Sequence, residues 1–228
     1  MHASDDTRLV RFLDGFAMSF AMLDHAHSEL QTVCPALATD KTRLPVAFWL
    51  CWSFIDAVHR IRELAQAVPG LGRRPPELRI FLEATTDAEQ FRNYIQHLRQ
   101  ELSSPNHNTS PVWGVLAWVD PHDSEVSYTA LAGSQVGETH FPGCVFDTLT
   151  NQYVSRICLS VNGIAFNFDP VFSACMLFRD FIIPWLQSTY APGIRLSADF
   201  PILSVRFPIQ VPPNPGSVSH PAEDRPGT

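Results

Sequence analysis

Three polar residues close together in the sequence, Arg92, Asn93 and His97, could act on a phosphate group. Arginine offers phosphate oxygens a fixed, two-pronged donor, and histidine is the side chain that exchanges a proton near neutral pH. Asparagine can orient a substrate or a neighbouring side chain through its amide. These three residue types therefore fit a site that handles phosphate.

The stretch that carries these residues is predicted to be one helix, from residue 76 to 102. On an ideal helix, which turns by about 100° per residue, Asn93 and His97 share a polar face, whereas Arg92 lies about 140° from His97. Either the long Arg92 side chain reaches round the helix, or a second copy of the helix supplies the missing partner. The geometry therefore favours a site shared by a homodimer. The apolar stripe that should face the core consists of Phe81, Ala84, Ala88, Phe91, Ile95, Leu98 and Leu102.

The pattern Arg92-Asn93-x3-His97, on the third long helix of a helical bundle, resembles the R-x4-6-H motif of the HEPN superfamily, in which a polar residue typically follows the arginine. The flanking sequence TTDAEQFRNYIQHLRQEL is similar to the amphipathic motif helix of that group. The resemblance covers about residues 5–103. It implies an antiparallel helical bundle and a metal-independent endoribonuclease of the toxin or defence type. By the same resemblance, Arg92, Asn93 and His97 are the catalytic residues.

Two other interpretations stay open. The chain could be a non-catalytic HEPN-like module that binds a nucleotide or a partner protein, which its acidic composition favours. It could also be an unrelated scaffold on which the segment around Arg92 is only polar surface. The position of Arg92 relative to His97 separates these cases, because a shared concave cleft, within one chain or across a two-fold axis, is needed for a common site.

The preceding predicted helix carries further charged residues, Asp56, Arg60 and Glu63. Asp56 and Arg60 form an i,i+4 pair, and Glu63 can form the equivalent pair with the histidine four residues before it. The simple interpretation is a solvated, ion-paired face. In the functional interpretation, Asp56 or Glu63 holds the motif Arg92 in place, provided that the two helices are neighbours.

Hydrophobic periodicity predicts the elements that must position these residues. We expect the fold class α+β in a single domain over residues 1–208. The resemblance implies a HEPN-like antiparallel helical bundle with a β-rich insertion before a buried C-terminal helix. Residues 210–228 are rich in proline and poor in apolar side chains, so we expect them to be disordered. The predicted elements are helices over 5–32, 45–68 and 76–102, a β-rich insertion over 112–168, a buried helix over 170–190 and a last strand over 202–209.

The composition limits the ways in which this chain could bind nucleic acid. Hydrophobic residues make up 45% of the 228 residues and charged residues 17%, and the formal net charge is −7. Phosphate contacts dominate the affinity of nucleic-acid grooves, which therefore need a basic field. An extended groove is excluded on this ground, and any contact with RNA should be local.

The five cysteines are scattered and show no C-x-x-C spacing, which favours reduced thiols in a cytoplasmic protein. No clustered set of ligands suggests a metal, and no cofactor is expected. The N-terminal sequence MHASDDTRLVRF lacks the apolar core of a signal peptide, and no window approaches the roughly 18 apolar residues of a membrane span. The expected partners are RNA, an antitoxin protein and a second copy of the chain, and no membrane.

Overall fold

The computed structural model describes residues 3–72, 75–103, 111–133 and 141–190, which contain six α-helices and six β-strands. The helices are α1 (Ala3–Ala36), α2 (Leu44–Ala67), α3 (Pro76–Ala84), α4 (Thr86–Gln96), α5 (Leu98–Ser103) and α6 (Phe168–Tyr190), with a 3-10 turn at Lys41–Arg43. The strands are β1 (Val115–Val119), β2 (Ser127–Leu131), β3 (Phe146–Asp147), β4 (Gln152–Tyr153), β5 (Ile157–Val161) and β6 (Ile164–Asn167). Helices and sheet occur together, which confirms the α+β class.

The first two helices pack against each other as an antiparallel pair. The apolar stripe of α1 is buried from Leu13 to Leu30, with Phe16 and Leu23 fully inaccessible to solvent. Gly15, near the start of α1, lies so close to Leu64, near the end of α2, that an added Cβ would come within 3.2 Å of the leucine methyl groups. Pro45 occupies the first turn of α2, where the missing N–H breaks no helical hydrogen bond.

The single helix predicted over 76–102 is wrong, because that stretch forms the three shorter helices α3, α4 and α5. The first break is at Thr85, which has φ −110° and ψ 13°. Its hydroxyl donates to the carbonyl of Phe81 at 2.7 Å, and such a bond to the backbone competes with regular helix. The second break is at His97, where φ is −105° and ψ is 24°. The histidine of the motif therefore lies between two helices and not inside one.

A buried arginine stabilises the first break. Arg62 of α2 is only 5% exposed. Its Nη1 group donates to the carbonyl of Leu82 at 2.5 Å and to the hydroxyl of Thr85 at 2.6 Å, and its Nη2 group donates to Glu89 Oε2 at 3.0 Å. The bond to Leu82 satisfies a carbonyl at the end of α3 that has no partner within its own helix. Arg62 thus connects α2 to both α3 and α4.

Replacing Arg62 by methionine should lower the free energy of unfolding by about 1–3 kcal/mol, the usual cost of an unsatisfied buried polar group. Methionine fills a similar volume but leaves the Thr85 hydroxyl oxygen without its donor, and the Leu82 carbonyl keeps only the bond from the Thr86 hydroxyl. Urea denaturation followed by circular dichroism measures the change. Arg60→Met, on the exposed face of the same helix, is the matched control, and should cost at most about 1 kcal/mol. Equal effects of the two substitutions would contradict the role assigned to Arg62.

The β-rich part contains a four-stranded antiparallel sheet in the order β2-β1-β5-β6 and a separate hairpin of β3 and β4. Asn162 and Gly163, a pair typical of tight turns, join β5 to β6 with φ of 51° and 78°, as a tight hairpin requires. Residues 152–161 hold the two strands β4 and β5, which are interrupted at residues 154–156, and the short strand β6 follows the turn.

The sheet shares a hydrophobic core with the helices. Four phenylalanine rings from different elements meet there: Phe54 of α2, Phe91 of α4, Phe166 of β6 and Phe168 of α6. Their centroids are 5.0–6.0 Å apart and the rings cross at 62–78°, the edge-to-face arrangement that aromatic pairs prefer. The β-rich part is therefore packed directly on the helices that carry the motif.

The last described helix, α6, begins two residues before the predicted start at 170 and is buried on one face only. The sequence is apolar nearly all round, and we expected full burial. Leu177, however, is 70% exposed. The buried positions recur every three or four residues, as in an ordinary amphipathic helix: Phe168, Val171, Cys175, Phe178, Ile182 and Leu186.

Two predicted segments, the strand over 202–209 and the proline-rich stretch over 210–228, lie outside the described residues. Within the part of the chain that the structure describes, no helix has both the length and the apolar character that a membrane span requires.

Candidate functional site

Asn93 and His97 line one cleft of about 270 Å³ between the helices α4 and α5 and the β5–β6 turn. Both residues are exposed. Tyr94 and Glu101 line the cleft on the helical side, and Asn162 lines it on the side of the sheet. The cleft thus joins the amide and the imidazole of the motif with polar groups from a distant part of the sequence.

Backbone hydrogen bonds hold His97 in the break between α4 and α5. Its N–H donates to the carbonyl of Asn93 at 3.0 Å, and its own carbonyl accepts from the N–H groups of Gln100 at 2.8 Å and Glu101 at 3.0 Å. Among the described residues, the imidazole itself has no hydrogen-bond or ion-pair partner. The ring is therefore available to a ligand in the cleft, while the main chain fixes its position.

Tyr94 forms a rigid part of the same cleft. Its hydroxyl donates to the carbonyl of Val112 at 2.8 Å, and its ring lies nearly parallel to that of Trp52, with centroids 6.4 Å apart. Burial, and secondarily the negative charge of Glu101, raise the pKa of Tyr94 above its ordinary value. Tyr94 therefore stays neutral at physiological pH and ties α4 to the start of the β-rich part.

Arg92 lies on the other flank of α4 and does not line the cleft. Its Nε atom is 2.9 Å from Asp56 Oδ1 on α2, an ion-pair distance, although the N–H does not point along a hydrogen bond. With the amide of Gln96 turned so that its oxygen faces the guanidinium, that oxygen accepts from Nη1 at 2.9 Å and from Nη2 at 3.0 Å. Arg92 is thus held on two sides and is 24% exposed.

Asp56 contacts two arginines at once. Its second oxygen, Oδ2, accepts a hydrogen bond from Arg60 Nε at 2.7 Å, which is the predicted i,i+4 pair. Two guanidinium groups around one carboxylate leave a local charge of +1 on this flank, in a chain whose net charge is −7. Glu63 forms the other predicted pair, with His59 at 3.4 Å, and does not contact Arg92. Of the two acids predicted to hold Arg92, only Asp56 reaches it.

Within one chain, the groups expected to act together are therefore divided between two places. The base and the amide, His97 and Asn93, are in the cleft. The cation, Arg92, is on the neighbouring flank with Asp56 and Arg60. A single copy thus presents the imidazole and the guanidinium on adjacent surfaces, and not on one common surface.

Tyr94, Glu101 and Asn162 are among the cleft-lining residues that were not predicted from the sequence, and the first two had a detectable signal. Tyr94 precedes His97 by three positions and Glu101 follows it by four, which is the spacing of one helical face. The sequence around Asn162 indicates a turn, but nothing in it indicates a place in the cleft. Its place in the cleft depends on how the sheet packs on α4, and local sequence does not encode that packing.

A second polar cluster surrounds Asp169 at the start of α6. Its Oδ1 lies 3.2 Å from His27 Nε2 of α1, and its Oδ2 accepts from the backbone N–H of Arg156 at 2.6 Å and from the hydroxyl of Ser155 at 3.2 Å. Burial alone would raise the pKa of Asp169. The hydrogen bonds from His27, Arg156 and Ser155, with the charge of His27, outweigh burial and lower the pKa overall. Asp169 thus links the first helix, the sheet and the last helix.

Asp169→Asn should destabilise the protein at neutral pH and much less in acid. The folded pKa lies below the unfolded value of about 3.9, so the carboxylate stabilises the fold above that pH. This contribution is lost as the pH falls through the folded pKa. Urea unfolding at a series of pH values measures it, with the exposed Asp180→Asn of the same helix as the control. A difference between wild type and Asp169→Asn that does not shrink in acid would contradict this assignment.

The cysteines do not form a reactive or metal-binding site in the described part of the chain. All five are free thiols. Burial raises the pKa of Cys34 and of Cys144 to about 12 and that of Cys158 to about 11, so these thiols stay protonated at neutral pH and are poor nucleophiles. No group of three or more His, Cys, Asp or Glu side chains there is placed to hold a metal ion.

The resemblance of Arg92-Asn93-x3-His97 to the HEPN motif rests on the sequence pattern alone. No protein-family model, no curated protein and no solved structure matches this chain.

Proposed function

We propose that this chain is a HEPN-like, metal-independent endoribonuclease in which two copies complete each active site. The observation that carries the proposal is the arrangement around α4. His97, whose side chain has no partner among the described residues, lies beside Asn93 in a cleft, and Arg92 is fixed on the adjacent flank. A second copy packed against this surface would bring its Arg92 to the cleft of the first. The proposal includes that the helices form an antiparallel HEPN-like bundle and that the chain assembles as a homodimer.

The chemistry requires one base and one cation. His97 takes the proton of the RNA 2′-hydroxyl as that oxygen attacks the adjacent phosphorus. The new bond between the 2′-oxygen and phosphorus replaces the bond to the 5′-oxygen, which leaves with a proton from solvent. The guanidinium of Arg92 stabilises the negative charge that develops on the phosphate, and Asn93 orients either the imidazole or the substrate. The products carry a 2′,3′-cyclic phosphate and a 5′-hydroxyl.

The local charge supports contact with phosphate despite the acidic chain. The flank that contains Arg92, Asp56 and Arg60 carries one more positive than negative charge. A guanidinium has five N–H donors, so the contacts with Asp56 and Gln96 leave Arg92 with further donors for phosphate oxygens. Such a small positive surface fits a short, local RNA contact.

One observation favours the alternative of a non-catalytic HEPN-like module that binds a nucleotide or a partner protein. Asp56 already partly neutralises Arg92, so in a single copy the motif arginine is not free to meet a substrate in the cleft. A chain that remains a single copy would then bind through the cleft without cleaving.

The test is incubation of the purified protein with total RNA in the presence of EDTA, beside a DNA strand of matched sequence. We expect RNA fragments that end in 2′,3′-cyclic phosphate, and no cleavage of DNA, because DNA lacks the nucleophile. If RNA is bound and stays intact at several salt concentrations and pH values, the binding module is the better description.

A further inference from the structure

A second cavity lies between the end of α1, the 3-10 turn and the β1–β2 hairpin, and it shares no lining residue with the α4 cleft. Its volume is about 330 Å³, within the range of about 300–1,000 Å³ that is usual for small-molecule sites. Most of the lining is apolar, including Leu37, Leu44 and Leu131. Trp118 and Tyr128 provide an aromatic wall, with ring centroids 5.3 Å apart and planes at 21°. The cavity therefore suits a ligand with a flat, apolar body.

A single positive charge borders this apolar space. Lys41, the only lysine in the sequence, lines the cavity and is exposed. Its ammonium group has no ion-pair or hydrogen-bond partner in the described ranges. The adjacent carboxylate, Asp40, is already engaged by Arg43 at 3.2 Å and by the hydroxyl of Thr42 at 2.5 Å. Lys41 is thus an uncompensated cation beside an apolar cavity.

The aromatic wall contains an unpaired donor. Trp118 is only 4% exposed, and its Nε1–H group is buried without a hydrogen-bond partner among the residues described. Because this nitrogen is shielded from solvent, a ligand in the cavity would contact the ring of Trp118 and not its N–H group.

We propose that this cavity binds a small carboxylic acid with an aromatic or similarly flat apolar body. The body packs on Trp118 and Tyr128, and the carboxylate pairs with Lys41. The positive charge of an amine of the same shape would be repelled by Lys41, and a neutral alcohol would gain no ion pair. The proposal is independent of RNA cleavage, because it uses none of the residues around α4.

The test compares three probes of one shape: 3-phenylpropanoate, 3-phenylpropan-1-ol and 3-phenylpropylamine. Each is titrated into the full chain by ligand-observed NMR. We expect the acid to bind about 2–5-fold more tightly than the alcohol, the effect of one partly exposed ion pair, and the amine to bind most weakly. Lys41→Met should make the acid and the alcohol equal, and Lys41→Glu should make the amine the tightest of the three.

A variant that fills the cavity separates this site from unspecific binding. Ala38→Trp, at an exposed turn position that lines the cavity, should abolish binding of the acid. Thr32→Trp, at an exposed position of α1 outside the lining, is the matched control and should retain it. Equal affinity for acid and alcohol in the wild type, unchanged binding in Ala38→Trp, or no binding at millimolar concentration would overturn the proposal. Binding that disappears as the protein concentration rises would also overturn it and would assign the cavity to contact between copies.

Discussion

His97→Ala should lower the rate of RNA cleavage by about 10²–10⁴-fold, the usual contribution of a general base. Alanine cannot accept the proton of the 2′-hydroxyl, so the nucleophile stays protonated. The hydrogen bonds that hold residue 97 between α4 and α5 come from its backbone, so the substitution should leave the fold and RNA binding intact. Single-turnover cleavage of a labelled RNA by wild type and variant measures the loss.

Two further variants separate catalysis from general damage. His25→Ala removes an exposed histidine of α1, distant in sequence from the motif, and should cleave like the wild type. Asn93→Ala should slow cleavage less than His97→Ala does, since the amide only orients. Equal cleavage by wild type and His97→Ala would exclude the proposed mechanism and point to a contaminating nuclease.

The helices could be predicted from sequence because the residues that a helix buries in the core are apolar and recur every three or four positions. That periodicity gave α1 and α2 within a few residues at each end. The break at Thr85 was not predictable in the same way, because it depends on Arg62, which reaches it from another helix. The amphipathic pattern continues across the break, so the pattern alone suggests one uninterrupted helix. For α6 the opposite error arose: an apolar composition suggested full burial, although Leu177 lies on an exposed face.

The candidate site shows the same limit. Helical spacing places Asn93 and His97 on a common face, and the structure has them in one cleft. The contact between Arg92 and Asp56 could be predicted only on the assumption that their helices are neighbours. The sequence could not decide whether Asp56 or Glu63 makes that contact. The place of Asn162 in the cleft could not be predicted, because it depends on how the sheet packs against α4.

A mixture of two inactive variants should recover activity if each site takes Arg92 from one copy and His97 from the other. Arg92→Ala keeps an intact cleft but lacks the cation, and His97→Ala keeps the cation but lacks the base. In a random mixture half of the dimers are mixed, and each mixed dimer has one complete site and one that lacks both groups. For a symmetric dimer, cleavage should therefore return to about a quarter of the wild-type rate.

The matched control is a mixture of Asn93→Ala and His97→Ala, combined by the same co-refolding. Both residues line the cleft of one copy, so no pairing of these variants rebuilds a complete cleft, and the mixture should show only the average of its two components. Arg92→Lys should not restore the wild-type rate of RNA cleavage, because a point charge does not reproduce the two-pronged contact with phosphate. If the first mixture stays as inactive as its components while light scattering shows dimers, the site is not shared. Arg92 would then have to leave Asp56 and reach round α4 within its own chain, or the chain would bind RNA without cleaving it.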